Sequence, residues 1–209
     1  MKKIVKVVFI LLCWSSIAPV AVAAHDIDAP PVTVALETEL GSIVIEVYRG
    51  KAPLSAGDFL KYVDTGLLNG AGFYRVVRAD NDNGNPKIEV IQGGLLDETK
   101  GLGSVAHEST ELTGLKHVAG AVSLARDTVG TGSAVAFFIC VTDQPSLDYG
   151  GKRNPDGQGY AVFGQVTIGM DVVRAIQALP ANASIDDAYV KGQILENPLL
   201  ILNATTLTQ

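Results

Sequence analysis

Histidine, cysteine and tryptophan are all scarce in this 209-residue chain, and each scarcity narrows what the protein can do. The three histidines, His25, His107 and His117, lie ten or more residues apart. Zinc ligands usually pair at roughly two to five residues, so this spacing makes no metal site, and no metal or other cofactor is expected. His107-Glu108 reads as a surface pair. There is no G-x-S-x-G elbow and no glycine-rich phosphate loop ahead of a helix. Basic clusters are missing too: beyond residue 6 none is longer than Lys152-Arg153, and the net charge is −6. Nucleic-acid binding needs a basic footprint, so it is not expected here.

The one tryptophan and one of the two cysteines, Trp14 and Cys13, fall in a segment unlike the rest. Lys2, Lys3 and Lys6 open it, residues 7–12 are uninterrupted apolar, and Ala21-Val22-Ala23 fits a small-residue cleavage site. Its apolar stretch is shorter than the roughly 20 residues needed to span a bilayer. Residues 1–24 therefore read as a secretory signal peptide, cleaved after Ala23 or Ala24, and no stable membrane span remains. Loss of its three lysines takes the net charge from −6 to −9 and leaves Cys140 as the one thiol. A single thiol cannot close an internal disulfide, so packing must hold the mature chain. Cys140 itself lies in the apolar run 137–141, where a thiol acts as inert packing.

After a short extension, residues 25–31, the remainder reads as one domain over 32–209. Residues 32–36 and 43–48 read as strands about a turn at Leu40-Gly41-Ser42. Ala56, Phe59, Leu60 and Val63 then fall on one helical face, with Gly66 placed to end it. Short apolar runs follow at 73–77, 88–91, 118–124, 135–141 and 160–166, separated by glycine-rich turns, the pattern of a β-barrel or sandwich. Met170, Val173, Ile176 and Leu179 form a second helical face that Pro180 stops. Residues 199–202 make a last strand with Pro198 at its start, where a missing N–H is tolerated.

One strand needs a reason: Phe73-Tyr74-Arg75-Val76-Val77 carries an arginine among apolar residues. Periodicity alone allows Arg75 to face solvent. The ordered set around it says more. It comprises Ala52-Pro53, Gly72 through Val77, Ile91-Gln92-Gly93-Gly94, Gly120 through Arg126, Phe137-Phe138-Ile139-Cys140, Leu147-Asp148 and Tyr160 through Val166. Together these resemble the cyclophilin family of peptidyl-prolyl isomerases, over residues 32–207. The resemblance implies a mostly-β fold, a closed eight-stranded antiparallel barrel capped by two α-helices. It implies isomerase activity on X–Pro bonds, proline-containing polypeptides as partners, and a monomer.

By the same resemblance Arg75 is the catalytic residue, and Gln92 holds the substrate backbone and Arg75. Phe137 and Leu147 surround the proline ring, with Tyr160 at the rim in place of the more usual histidine. Ala125 lies along the backbone groove, and Tyr74 and Val90 complete the substrate surface. Joined to the leader, the resemblance implies a periplasmic enzyme assisting the folding of exported proteins. The alternative is a barrel that holds proline-containing segments without useful turnover. The chain also departs from the family pattern. Tyr74 replaces a histidine, Val90 a methionine, Glu89 a phenylalanine, Ala136 a glutamine and Arg126 an asparagine. Ser146 replaces an aromatic residue, and the segment between Arg75 and Gln92 is longer than the common form.

Overall fold

The computed structural model describes residues 26–207, so the leader expected at residues 1–24 and its cleavage site lie outside the described residues. Eight strands form where the apolar runs lie: β1 (Val32–Thr38), β2 (Gly41–Val47), β3 (Gly72–Val77), β4 (Val90–Gly94), β5 (Ala121–Leu124), β6 (Ala136–Cys140), β7 (Ala161–Ile168) and β8 (Ile194–Thr206). They close in the order β1-β2-β7-β5-β6-β4-β3-β8, every pair antiparallel. The first and last strands pair, so closure leaves no barrel edge exposed. Alternate residues point inward, and Leu36, Ile43, Ile45 and Val47 are fully buried. Aromatic rings fill the middle. Phe59 lies 4.9 Å from Phe163 and 5.5 Å from Phe137, which is 5.9 Å from Phe73.

Helix α1 (Pro53–Asp64) starts on a proline, whose absent N–H is one the first turn does not use. The next donors are satisfied by Glu108, whose carboxylate accepts from the N–H groups of Leu54 and Ser55 and from the Ser55 hydroxyl. Glu108 is therefore buried, not a surface partner of His107: the orphan donors and positive end of α1 draw it in. Helix α2 (Thr110–Thr113) is an additional single turn, capped by the Ser109 hydroxyl and ended by Gly114 at φ 70°. Among the described residues it makes three α-helices instead of two, because one turn is too short to carry an apolar period. Helix α3 (Met170–Gln177) packs against β2, β3 and β4, and α1 against β7 and β8.

Strand β8 runs well beyond 199–202, and Pro198 sits inside it. Arg75 pairs with Ile194 whereas Phe73 pairs with Leu199, so β8 bulges between those contacts. Pro198 falls in that interruption, where no ladder donor is required.

A second, smaller apolar cluster lies apart from the main core. It contains Val77, Ile88, Val90, Phe138, Cys140, Leu147 and Val162. Cys140 is completely buried in it, and burial pushes its thiol far above the ordinary value, so it stays protonated.

Candidate active site

Strand β3 breaks its own alternation. Phe73 pairs with Gly93 and Arg75 with Gln92, so Tyr74 is the extra residue of a bulge. Phe73 and Val76 stay in the barrel core, and the consecutive side chains of Tyr74 and Arg75 both remain partly exposed. On β4 the alternation is regular: Ile91 points into the core, and Val90 and Gln92 face the other way. On β6, Phe137 pairs with Gly93 and Phe138 with Gln92.

These faces line a cleft of about 480 Å³ containing Tyr74, Arg75, Val90, Gln92, Ala125, Leu147 and Tyr160. Seven of the eight residues expected at the site thus meet there. The exception is Phe137, which is fully buried in the barrel core against Phe59 and Phe73. Its neighbour Phe138 lines the cleft instead, because a strand turns adjacent side chains to opposite faces. Ile88 joins the wall beside Val90. Glu89 takes no part in that wall, and its carboxylate accepts from the Thr142 hydroxyl at 2.9 Å.

Arg75 is held on two sides. Its Nη1 donates to Gln92 Oε1 at 3.0 Å, and its Nε and Nη2 donate to Gln193 Oε1 at 2.8 and 2.6 Å. Gln92 in turn donates to the Tyr74 hydroxyl at 3.2 Å. Burial raises the Tyr74 phenol above its ordinary value, and Glu98 adds to the rise, so Tyr74 is neutral at physiological pH. The Tyr189 ring lies 5.4 Å from Arg75 Cζ and 5.6 Å from Arg153 Cζ.

The opposite wall is braced from behind. Phe138 stacks on His117 with centroids 5.8 Å apart and meets Tyr160 edge-on at 5.4 Å. Arg126 lies over the Tyr160 ring, gives two hydrogen bonds to Gly159 O and two to Asp156, and its side chain is 1% exposed. His117 lies between Asp148 Oδ1 at 2.9 Å and Ser123 Oγ at 3.2 Å, an order resembling a hydrolytic triad. Ser123 is fully buried and His117 nearly so, and neither lines the cleft. The trio is structural.

Sequence reasoning missed Phe138, Ile88, Arg153, Tyr189 and Gln193. A step of two along the strand from Ala136 would have found Phe138. The last three come from loops joined to the site only by tertiary contact, and no local signal marks them.

Comparison with known proteins agrees with this architecture. Residues 33–201 match the family described as cyclophilin type peptidyl-prolyl cis-trans isomerase/CLD. The chain is 35% identical over 150 residues to a peptidyl-prolyl cis-trans isomerase of Acinetobacter baylyi, covering 71% of this chain and 73% of that one. It is 35% identical over 175 residues to one of Streptomyces antibioticus, covering 81% and 98%. A crystal structure of a Cryptosporidium parvum cyclophilin type peptidyl-prolyl cis-trans isomerase aligns with a TM-score of 0.63 at 20% identity, covering 86% of this chain and 99% of that one. Another structure of that parasite protein, in the presence of the dipeptide Ala-Pro, gives 0.62. The structural likeness carries the barrel. The family match and the sequence identities carry the activity, and the chain belongs to the cyclophilin-type peptidyl-prolyl cis-trans isomerases.

Proposed function

We propose that Arg75 drives the isomerisation and that the cleft beside it binds the prolyl ring. Rotation about a peptide bond faces a barrier of about 18–20 kcal/mol, and X–Pro bonds exchange in roughly tens to hundreds of seconds without help. No nucleophile, metal or proton transfer is required. The enzyme must bind the twisted amide better than either planar form. In the twisted state the prolyl nitrogen regains a lone pair and can accept a hydrogen bond. Arginine suits this task because it is always charged and carries a rigid fork of donors. Phe138, Leu147, Val90 and Ile88 supply an apolar wall for the ring, and Gln92 and Tyr74 offer polar contacts to the substrate backbone. Ala125 lines the groove alongside, and Tyr160 closes the rim.

The observation that carries this reading is a guanidinium fixed by two glutamines in a cleft that also presents an apolar wall of Ile88, Val90, Phe138 and Leu147. The enzyme is expected to accelerate cis/trans exchange of an Ala-Pro test peptide, and Arg75→Ala to lose at least about tenfold of that rate. Tenfold corresponds to about 1.4 kcal/mol of transition-state stabilisation, a modest demand on one charged hydrogen bond. Equal activity of the two proteins, or inactivity of both, would remove Arg75 from this role.

The leader-like start supports export, so the working place is taken as the periplasm and the clients as exported chains containing proline. The working unit is taken as a monomeric barrel spanning 32–209. Expression of the full chain in a Gram-negative host tests the export reading. N-terminal sequencing should find a new terminus at Ala24 or His25 in the periplasmic fraction, and an intact Met1 there would overturn it.

A further inference from the structure

The partner that takes two of the three Arg75 hydrogen bonds lies 118 positions away in the chain. We propose that Gln193 is a positioning residue: it fixes the Arg75 guanidinium before substrate arrives and is itself set by Asn81. This rests on the reading of Arg75 as the donor to the twisted amide.

The chemistry dictates how Gln193 must sit. It is fully buried, so its amide needs partners on both ends. Arginine offers only donors, so the amide oxygen must face it, and the NH₂ must find an acceptor. Gln193 Oε1 accepts from Arg75 Nε and Nη2, and Gln193 Nε2 donates to Asn81 O at 3.0 Å. Asn81 is anchored in turn. Its Nδ2 donates to Val76 O at 3.2 Å and Gly192 O at 2.9 Å, and its Oδ1 accepts from the Arg78 N–H at 2.7 Å. The segment between Arg75 and Gln92, longer here than in the family pattern, thus reaches back to the arginine through one glutamine.

A guanidinium has five N–H donors, and the bonds to Gln193 and Gln92 engage three of them. One donor remains on each terminal nitrogen. The Tyr189 ring covers the group at 5.4 Å from Cζ and restrains it from swinging out of plane. An arginine frozen in advance does not lose its rotamer freedom when the transition state forms. Removal of Gln193 should therefore slow catalysis while leaving peptide capture by the apolar wall intact.

The experiment compares wild type, Arg75→Ala, Gln193→Ala and Gln193→Glu. Gln193→Ala is expected to lower kcat/KM for a prolyl test peptide by about tenfold, with the peptide Kd from an NMR titration changed by less than about twofold. Gln193→Glu keeps the acceptor for Arg75 but loses the donor to Asn81 O, so it should recover part of that loss and stay below wild type. A readout in the unmodified protein guards against misfolded variants: the Arg75 Nε–H should exchange with solvent more slowly than that of the exposed Arg49. Equal exchange at the two arginines would overturn the proposal. So would a well-folded Gln193→Ala enzyme at the wild-type rate, or a Gln193→Glu enzyme as slow as Gln193→Ala. If Arg75→Ala slows the enzyme and Gln193→Ala does not, the positioning role alone fails. If Arg75→Ala has no effect, the reading of Arg75 fails, and the exchange measurement still judges whether Gln193 holds it.

Discussion

Phe137 and Phe138 are identical in chemistry and adjacent in sequence, yet the barrel wall runs between them. Phe137 meets Phe59 and Phe73 in the core, and Phe138 meets His117 and Tyr160 beside the cleft. Their truncations should separate stability from activity. Phe137→Ala empties a fully buried site and is expected to cost about 3–5 kcal/mol in denaturant unfolding. Phe138→Ala should act chiefly on the enzyme, raising KM for the prolyl peptide by several fold while unfolding changes less. Equal stability losses with no difference in KM would contradict the assignment of the two rings. Pattern alone could not choose between them, because both faces of β6 are buried and the run Phe137-Phe138-Ile139-Cys140 shows no polar alternation. Only the register of Ala136 on the cleft side resolves it. Gly159 shows the same dependence on position. At φ 64° its added Cβ would come within 2.5 Å of Leu147 O, and its own carbonyl receives Arg126. A side chain there would disturb the support of Tyr160.

At the scale of elements, the strands were legible and the loops were not. A strand announces itself through a short local run of apolar residues between turn residues, which is why all eight apolar runs became β1 to β8. The loops over residues 78–89, 148–160 and 178–193 are polar and locally featureless, and their order comes from one another. Arg153 from the second reaches Asp82 in the first at 2.6 and 2.8 Å, and the Tyr189 hydroxyl in the third at 3.0 Å. Asp82 and Arg153 are separated by 71 positions, a distance at which sequence pattern carries no information. The pair is almost completely buried, with side chains 0% and 2% exposed. Loss of one partner strands the other, so Asp82→Ala should destabilise the protein by about 3–5 kcal/mol. The double change Asp82→Leu with Arg153→Met should recover the part of that loss due to the stranded charge, while the Gly84 and Ile88 N–H groups still lack the acceptor that Asp82 gave them. Urea midpoints of the three proteins check this. A double variant no better than the single one would show that the bridge holds the loops by more than its charges.

For the whole molecule, a barrel whose one described cysteine is a free, buried thiol depends on packing, and so on keeping its buried groups uncharged or paired. His117 is the weak point. Burial lowers its pKa below the ordinary 6.5 and Lys116 pushes the same way, whereas Asp148 opposes them and does not prevail. The native imidazole is therefore neutral where the unfolded one takes up a proton. Its contribution to stability is complete above pH 6.5 and is lost as pH falls from there toward the lowered native value. Asp82 and Asp148 add a second step. Burial alone would raise both carboxyls, but Arg153 and backbone N–H groups hold Asp82, and His117 and Lys116 hold Asp148, below the ordinary 3.8. Their contribution is complete above pH 3.8 and drains away below it. Thermal melts are thus expected to be level at neutral pH, to decline below about pH 6.5, and to decline again below about pH 4. His117→Gln should start from a lower Tm yet lack the first decline, because glutamine does not titrate. The support of Phe138 predicts that activity weakens along with that first decline. If Tm held constant as the pH was lowered through 6.5, or if His117→Gln kept the same slope, another group would have to govern the acid sensitivity.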